Sequence, residues 1–335
     1  MDYKTYSRRQ ILKTATVAGA AATVIPVLGW PSAAEAQAAA RQPMATKPLL
    51  TAFCWYLNLP GTVAWSQGIQ QVTSVQQTVS VKYSVKDPNS DPAVQVQMVN
   101  AMVDQGYDVI WLQPIDSAAI AAPVKRARDA GIVVVTINIV ANSPDAAFVT
   151  QNHALLSNAV GVEMAKALKG KGDIYLVTNA PGTSIYNLRK NGFLSGIKGT
   201  SIKVLGEANG LGTSVGAHDA FVPVLRGNPS IQGVWCLNDD MALGVIEALK
   251  EAGRTAIVWA DGDGSQEAMD AIRSGALAGD TYTNLIAQGN MAATAGLAFA
   301  QCGLPASKLP DQAQIDVPFT VVTKANVSTI PPLPY

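Results

Sequence analysis

The chain has 335 residues, 48% of them hydrophobic, with 24 basic residues, 24 acidic residues and two histidines. Balanced charge, with Lys and Arg scattered along predicted helix surfaces, excludes the basic stripe or patch that a nucleic-acid partner requires. Three cysteines, Cys54, Cys236 and Cys302, cannot form a fully paired disulfide framework. Neither they nor His153 and His218 have metal-ligand spacing, so no metal and no cofactor is expected.

The first segment reads as an export address. Ser7-Arg8-Arg9-Gln10-Ile11-Leu12-Lys13 is a twin-arginine run, followed by the apolar stretch from Ala15 to Gly29 and by Ala34-Glu35-Ala36, the small-x-small pattern of a signal-peptidase site. That stretch is shorter than the about 20 apolar residues of a bilayer span and Pro26 interrupts it, so residues 1–36 are expected to be a cleaved leader rather than an anchor. Cleavage removes Lys4, Arg8, Arg9 and Lys13 against Asp2 and Glu35, which takes the balanced totals to a net charge of −2.

From Leu49 onward, short β-branched runs alternate with helical patterns. Strands are expected at Leu49–Cys54, Val79–Tyr83, Val109–Leu112, Val133–Ile137, Asp173–Val177, Ile202–Gly206, Gly233–Leu237, Ala256–Ala260 and Gly279–Thr283. Between them fall helices such as Pro92–Gln105, Ala118–Ala130, Leu155–Leu168, Ser184–Ile197, Asp239–Glu251 and Ser265–Ser274, with Gly106, Gly131, Gly253 and Gly275 at their stops. Nearly all-apolar strands in such alternation predict an α/β fold of two doubly wound parallel sheets. The apolar content suffices for two cores, since single cores stop growing near about 250 to 300 residues. Cys54 and Cys236 fall within strands as buried apolar fillers.

In open parallel sheets the ligand crevice lies beyond the carboxyl ends of the strands. The residues there are polar and planar: Trp55 and Asn58, Gln113, Asn138, Asn179, Asn238 with Asp239, Asp261, and Thr283 with Asn284. Amides and carboxylates present two coplanar hydrogen-bonding atoms, which match vicinal hydroxyls on a neutral sugar or polyol. Any one of these positions is equally an ordinary strand exit or helix N-cap. Their recurrence in both halves is what points to a pocket.

Sharper chemistry finds less support. Gly212-Thr213-Ser214-Val215-Gly216 matches a hydrolase nucleophile elbow, but the only later histidine is His218, one helical turn away, with no acid between. Gly210-Leu211-Gly212 lacks the third glycine of a dinucleotide loop at its proper place, which falls instead at Gly216. Asp261-Gly262-Asp263-Gly264 and Asp87-Pro88-Asn89-Ser90-Asp91 look like calcium loops, yet Ile272 and Met98 stand where the closing glutamate belongs.

Five stretches carry a family resemblance: 107–117 (Tyr107 to Ser117), 130–138 (Ala130 to Asn138), Gly182-Thr183-Ser184 with Arg189 and Gly192-Phe193, 238–244 (Asn238 to Gly244), and Ala260-Asp261-Gly262. Across residues 49–324 the chain resembles the periplasmic sugar-binding proteins of the ribose and galactose type, type I receptors of ABC importers. Repressors of the lactose-repressor type share that fold but begin with a DNA-binding helix-turn-helix, where this chain has its export signal. The resemblance implies two lobes joined by crossings near Thr150, near Thr283 and Asn284, and near Asp316. The N-terminal lobe would hold residues 46–150 and 284–315, the C-terminal lobe 151–283 and 316–330.

It implies ligand contacts from Gln113 and Asn138 in the first lobe, from Arg189, Asn238 and Asp261 in the second, and from Thr283 or Asn284 at a hinge, with Asn58 in the first turn. Two aromatics that follow the first-turn proline in ribose-type members are absent, because Gly61 and Thr62 follow Pro60. Trp55, Tyr56, Trp65 and Tyr186 are the replacement candidates. Asn138 and Ile139 stand where an acid and an arginine are expected, and Leu211-Gly212 where the second lobe's aromatic is expected. These departures favour a short polyol or another sugar derivative over ribose. The expectation is a monomeric, non-enzymatic periplasmic receptor delivering its ligand to an inner-membrane ABC permease. The alternatives are an exported sugar-modifying enzyme and a ligand sensor for a chemoreceptor or sensor kinase.

Overall fold

In the computed structural model, which describes residues 47–77, 79–144, 146–179, 184–262, 264–302 and 313–331, the predominantly apolar runs become central strands. The expected leader, residues 1–36, and the expected lobe boundary at residue 46 lie outside the described residues. β1 (Leu49–Cys54), β3 (Val109–Leu112) and β4 (Val133–Ile137) are buried along nearly their whole length, as strands covered on both faces must be. With β2 (Val81–Lys86), β5 (Ala147–Gln151) and β11 (Gln314–Val317) they form a sheet of order β11-β5-β4-β3-β1-β2, every pair parallel. The helices α1 (Pro60–Ser74), α2 (Pro92–Asp104) and α3 (Ala121–Asp129) connect its strands.

The second sheet repeats that order. It contains β6 (Lys171–Thr178), β7 (Ser201–Asn209), β8 (Ile231–Cys236), β9 (Ile257–Ala260), β10 (Gly279–Tyr282) and β12 (Thr320–Thr323), arranged β12-β10-β9-β8-β6-β7. Only β12 runs antiparallel to its neighbour, β10. Its helices are α4 (His153–Ala167), α5 (Ser184–Gly196), α6 (Ser214–Gly227), α7 (Asp239–Glu251) and α8 (Gln266–Ser274). The last helix, α9 (Leu285–Gln301), follows β10 in the chain but buries Leu285, Ala292, Ala293 and Leu297 in the core of the first sheet.

The chain therefore passes between the sheets at Asn152, at Thr283-Asn284 and at Pro318-Phe319. The register corrects the expected lobe boundaries. Gln151 pairs with Val317, and Asp316 with Thr150, so these residues belong to the first sheet rather than the second. The ladder stops at Pro318, which has no N–H to offer. β2 also lies later than Val79–Tyr83, because it pairs with β1 from Val81 opposite Leu49.

In both lobes glycines bring helices into backbone contact, and in the second lobe one such contact sets Gly244 of α7 against the Ser214 carbonyl of α6. A Cβ on Gly68 of α1 would collide with the Ile286 carbonyl oxygen of α9, and one on Gly289 with the carbonyl of Trp65. In the second lobe a Cβ on Gly161 of α4 would strike the Phe193 carbonyl of α5, and one on Gly192 the carbonyl of Ala154.

The first crossing is fastened by a fully satisfied histidine. His153 Nδ1 accepts from Arg189 Nε (3.1 Å), and since an arginine N–H can only donate, the ring proton sits on Nε2. Nε2 then donates to the Asn138 carbonyl (3.1 Å), which links the two lobes through one imidazole. Burial first, then the adjacent Arg189 charge, hold the pKa of His153 well below its usual 6.5. A base with a depressed folded pKa adds stability above its unfolded pKa and loses it as pH falls below that value.

Two predictions follow from packing and from this link. Gly161→Ala should lower stability by about 1 to 3 kcal/mol through overpacking, while Gly227→Ala, at the open end of α6, should change it by less than about 1 kcal/mol; urea midpoints compare the two. Melting temperatures at pH 7 and pH 5 should fall apart more in the parent than in His153→Gln, which has no proton to take up; an unchanged pH difference would contradict the buried neutral imidazole.

Candidate functional site

The carboxyl ends of the strands in both sheets border one cleft of about 510 Å³, within the about 300 to 1,000 Å³ usual for small-molecule sites. The first lobe contributes Tyr56, Leu57, Leu59, Pro60, Thr62, Trp65, Ser90, Gln113, Asn138 and Ile139. The second contributes Asn179, Ile185, Arg189, Asn209, Leu211, Thr213, Leu237, Asn238, Asp239, Asp240, Leu243, Ser265 and Glu267.

Local chemistry sets each polar group. Gln113 follows β3, and its Oε1 accepts from the Tyr56 N–H (3.2 Å), which holds the turn after β1. Buried Gln95 supports it by donating to the Gln113 carbonyl (2.8 Å) and accepting from the Ile115 N–H (2.9 Å). Asn138 leaves β4 at φ 66°, a left-handed conformation that Asn tolerates better than most side chains. Its Oδ1 is buried without a hydrogen-bond partner among the described residues. Asn238 caps α7 by accepting from Met241 N–H (2.9 Å) and donates through Nδ2 to the Gly212 carbonyl (3.0 Å). Arg189, on α5, donates through one terminal nitrogen to the carbonyls of Leu237 (2.7 Å) and Asp261, at the ends of β8 and β9.

Of the nine positions expected to contact ligand, Gln113, Asn138, Arg189 and Asn238 line this cleft. The other five lie apart from its lining. Asp261 is fully buried, where its carboxylate accepts from the Ser157 and Thr281 hydroxyls. Burial raises its pKa to about 6 against the lowering effect of Arg189. Trp55 packs edge-on to Phe53 (centroids 6.1 Å apart) beside the first core. Thr283 is fully buried. Asn58 is exposed, and exposed Asn284 caps α9 by accepting from the Ala287 N–H (2.9 Å).

Among the aromatic candidates, Tyr56 and Trp65 border the cleft. Trp65 is fixed by its donation to Gln288 Oε1 (3.0 Å). Tyr186 instead donates to Glu207 Oε1 (2.8 Å), in a cluster with Lys190. Asp240 and Glu267, in the first turns of α7 and α8, were absent from the expected contact set, as were Ser90, Asn209, Thr213 and Ser265. Helix N-termini face the crevice in this architecture, so the acidic first turns of α7 and α8 were the available signal.

Acidic groups concentrate on the second lobe's wall. Asp239 accepts from the Ser265 N–H (2.6 Å), and Asp280 from the N–H groups of Gly262 (2.9 Å) and Thr281 (2.7 Å). Burial and the neighbouring Asp239 push Asp280 well above the usual carboxylate range. Burial, then Asp239 and Glu267, push Asp240 up to about 6.

The nucleophile-elbow pattern does not assemble a triad. Ser214 opens α6, while the two ring nitrogens of His218 are held by Asp219 and Glu251 at 3.0 Å each. Asp263, of the calcium-like loop, lies outside the described residues, as do Gly182 and Thr183. Among the described residues no group of three His, Cys, Asp or Glu side chains is placed to hold a metal ion.

Residues 57–304 match the family described as "Periplasmic binding protein domain". A xylitol-binding protein of Mycolicibacterium smegmatis is 32% identical over 219 residues, 63% of this chain and 60% of that protein's length. The ribose import binding protein RbsB of Bacillus subtilis is 29% identical over 222 residues, 65% of this chain and 70% of the relative. Among solved structures, an ABC-transporter solute-binding protein of Mycobacterium smegmatis with bound glycerol superposes with a TM-score of 0.76 at 24% identity, covering 84% of this chain and 96% of that one. The repeated six-stranded sheets, the cleft between them and the family match over most of the chain agree: this protein belongs to the periplasmic binding protein family.

Proposed function

We propose that the chain is an exported, non-enzymatic receptor that captures a small polyhydroxylated molecule, a sugar or polyol, and delivers it to an ABC permease. The observation that carries this is the cleft itself, bordered by amides from strand ends of both lobes: Gln113 and Asn138 on one side, Asn179 and Asn238 on the other. A ligand spanning both walls favours whichever lobe arrangement lets it touch both, and that differential contact drives closure. The twin-arginine leader, a periplasmic location and a monomeric state belong to the same reading.

The walls favour a short ligand. Tyr56 and Trp65 supply aromatic surface from the first lobe, whereas Ile185, Leu211, Leu237 and Leu243 supply aliphatic surface from the second. Two aromatic faces would sandwich a pyranose ring, while one aromatic wall opposite branched aliphatics suits a flexible polyol or furanose. The names of the xylitol-binding and glycerol-bound relatives support that choice.

A panel of pentitols, pentoses and hexoses tests this by thermal shift. A ligand at 100 times its Kd adds about 2.7 kcal/mol and should raise the melting temperature by several degrees. Asn138→Gly keeps the left-handed backbone and removes the amide; it should weaken binding about tenfold, the loss of one hydrogen bond of about 1.4 kcal/mol. A flat response across the panel would overturn the receptor reading, and recovery of a chemically altered ligand would replace it with an enzyme.

A further inference from the structure

Charge on the cleft wall narrows the ligand class further, on the premise that the cleft is the binding site. Four acidic or basic side chains border it: Arg189, Asp239, Asp240 and Glu267. Arg189 is largely engaged within the protein. It is 3% exposed, its Nε donates to His153 and one terminal nitrogen donates to the carbonyls of Leu237 and Asp261, whose carboxylate lies beside it. Asp239 is likewise held from beneath, by the Ser265 N–H and by neighbouring Asp280. Asp240 and Glu267 remain, on the first turns of two adjacent helices, close enough for Glu267 to raise the Asp240 pKa. Neither makes an ion pair among the described residues.

A second observation has the same sense. Asn138 Oδ1, on a side chain more than nine-tenths buried, faces no donor, and Asn179 Oδ1 across the cleft faces none either. The cleft thus carries uncommitted acceptors and uncompensated negative charge together. Each hydroxyl of a neutral polyol brings one donor and two acceptor lone pairs. An ammonium brings three donors, no acceptor and the missing charge.

We propose that the cleft selects a polyhydroxylated ligand bearing a primary amine, an aminodeoxy sugar or aminopolyol, with its ammonium against Asp240, Glu267 assisting from the rim, and that it discriminates against acidic sugars. Asp240 is the specificity-determining residue. Its carboxylate is partly withdrawn from water, where a hydrogen-bonded cation is worth more than at an exposed site. An acidic sugar would instead place a third carboxylate beside Asp240 and Glu267.

The test uses matched triads: glucose, glucosamine and glucuronate, and a pentitol with its 1-amino-1-deoxy derivative and its aldonate, each titrated calorimetrically at pH 7.5. The amine should bind at least about tenfold more tightly than its neutral parent, and the carboxylate more weakly than both. Asp240→Asn, nearly isosteric, should weaken the amine at least about tenfold more than the neutral parent, and Glu267→Gln should weaken it by a smaller factor of about 2 to 3. Neutral compounds binding as well as their amines, with Asp240→Asn affecting both alike, would overturn the amine assignment and leave the receptor reading standing. Absence of binding throughout would overturn both. A fold check on Asp240→Asn by its unliganded melting temperature separates lost recognition from lost structure.

Discussion

A guanidinium cannot give up its proton, so burying one obliges the surrounding fold to supply acceptors. Arg189 is such a group, and the cleft is organised around its demands. It takes the carbonyls at the ends of β8 and β9, which fixes how those two strands stop relative to each other. It takes His153 Nδ1, which fixes the tautomer of that ring and sends the other nitrogen's proton to the Asn138 carbonyl in the opposite lobe. With its backbone so engaged, Asn138 is left to present its side chain to the cleft. The deep placement of Asp261 belongs to the same arrangement: a carboxylate beside a buried cation, held by two hydroxyls, supports the wall rather than forming it.

The two lobes solve one packing problem twice. Both place their apolar strands in the middle of a sheet of the same order, and both end in a strand contributed by the chain's last pass. Pro318 divides that pass, so four residues go to each sheet, one strand parallel and the other antiparallel to its neighbour. Binding chemistry then concentrates where the strands stop, because only there do loops from both sheets meet.

Much of this was legible in the sequence, for identifiable reasons. Strands such as Val109–Leu112 and Val133–Ile137 have no polar face, and that alone implies cover on both sides. β5, β11 and β12, four or five residues long and containing Gln, Asp or Thr, were not read from the sequence, although the equally short and polar β10 was. Their strand character comes from partners distant in sequence. At the cleft, Gln113, Asn138, Arg189 and Asn238 could be read from strand exits and family motifs. Asp261 could not be placed, since Ser157, which holds it, lies 104 residues away. Asn284 obeyed its plainest role, a helix cap. Asp240 and Glu267 were hidden for the opposite reason: acids in a helix's first turn are so well explained by the helix dipole that a second role goes unnoticed.

The glycine contacts carry a mechanical consequence. α4 and α9 are the helices that begin directly after the first and second crossings, and each is seated backbone to backbone against a partner in its own lobe, at Gly161 and Gly192 in one case and at Gly68 and Gly289 in the other. Sliding either helix along its partner would drive carbonyl oxygens into Cα positions, so shear within a lobe is resisted. The chain crosses between the lobes at only a handful of residues, 152, 283–284 and 318–319, and these are the positions open to a rotation of one lobe against the other. A closure of this kind would bring together two half-sites already assembled, and its entropy cost would fall on three short joints rather than on two walls.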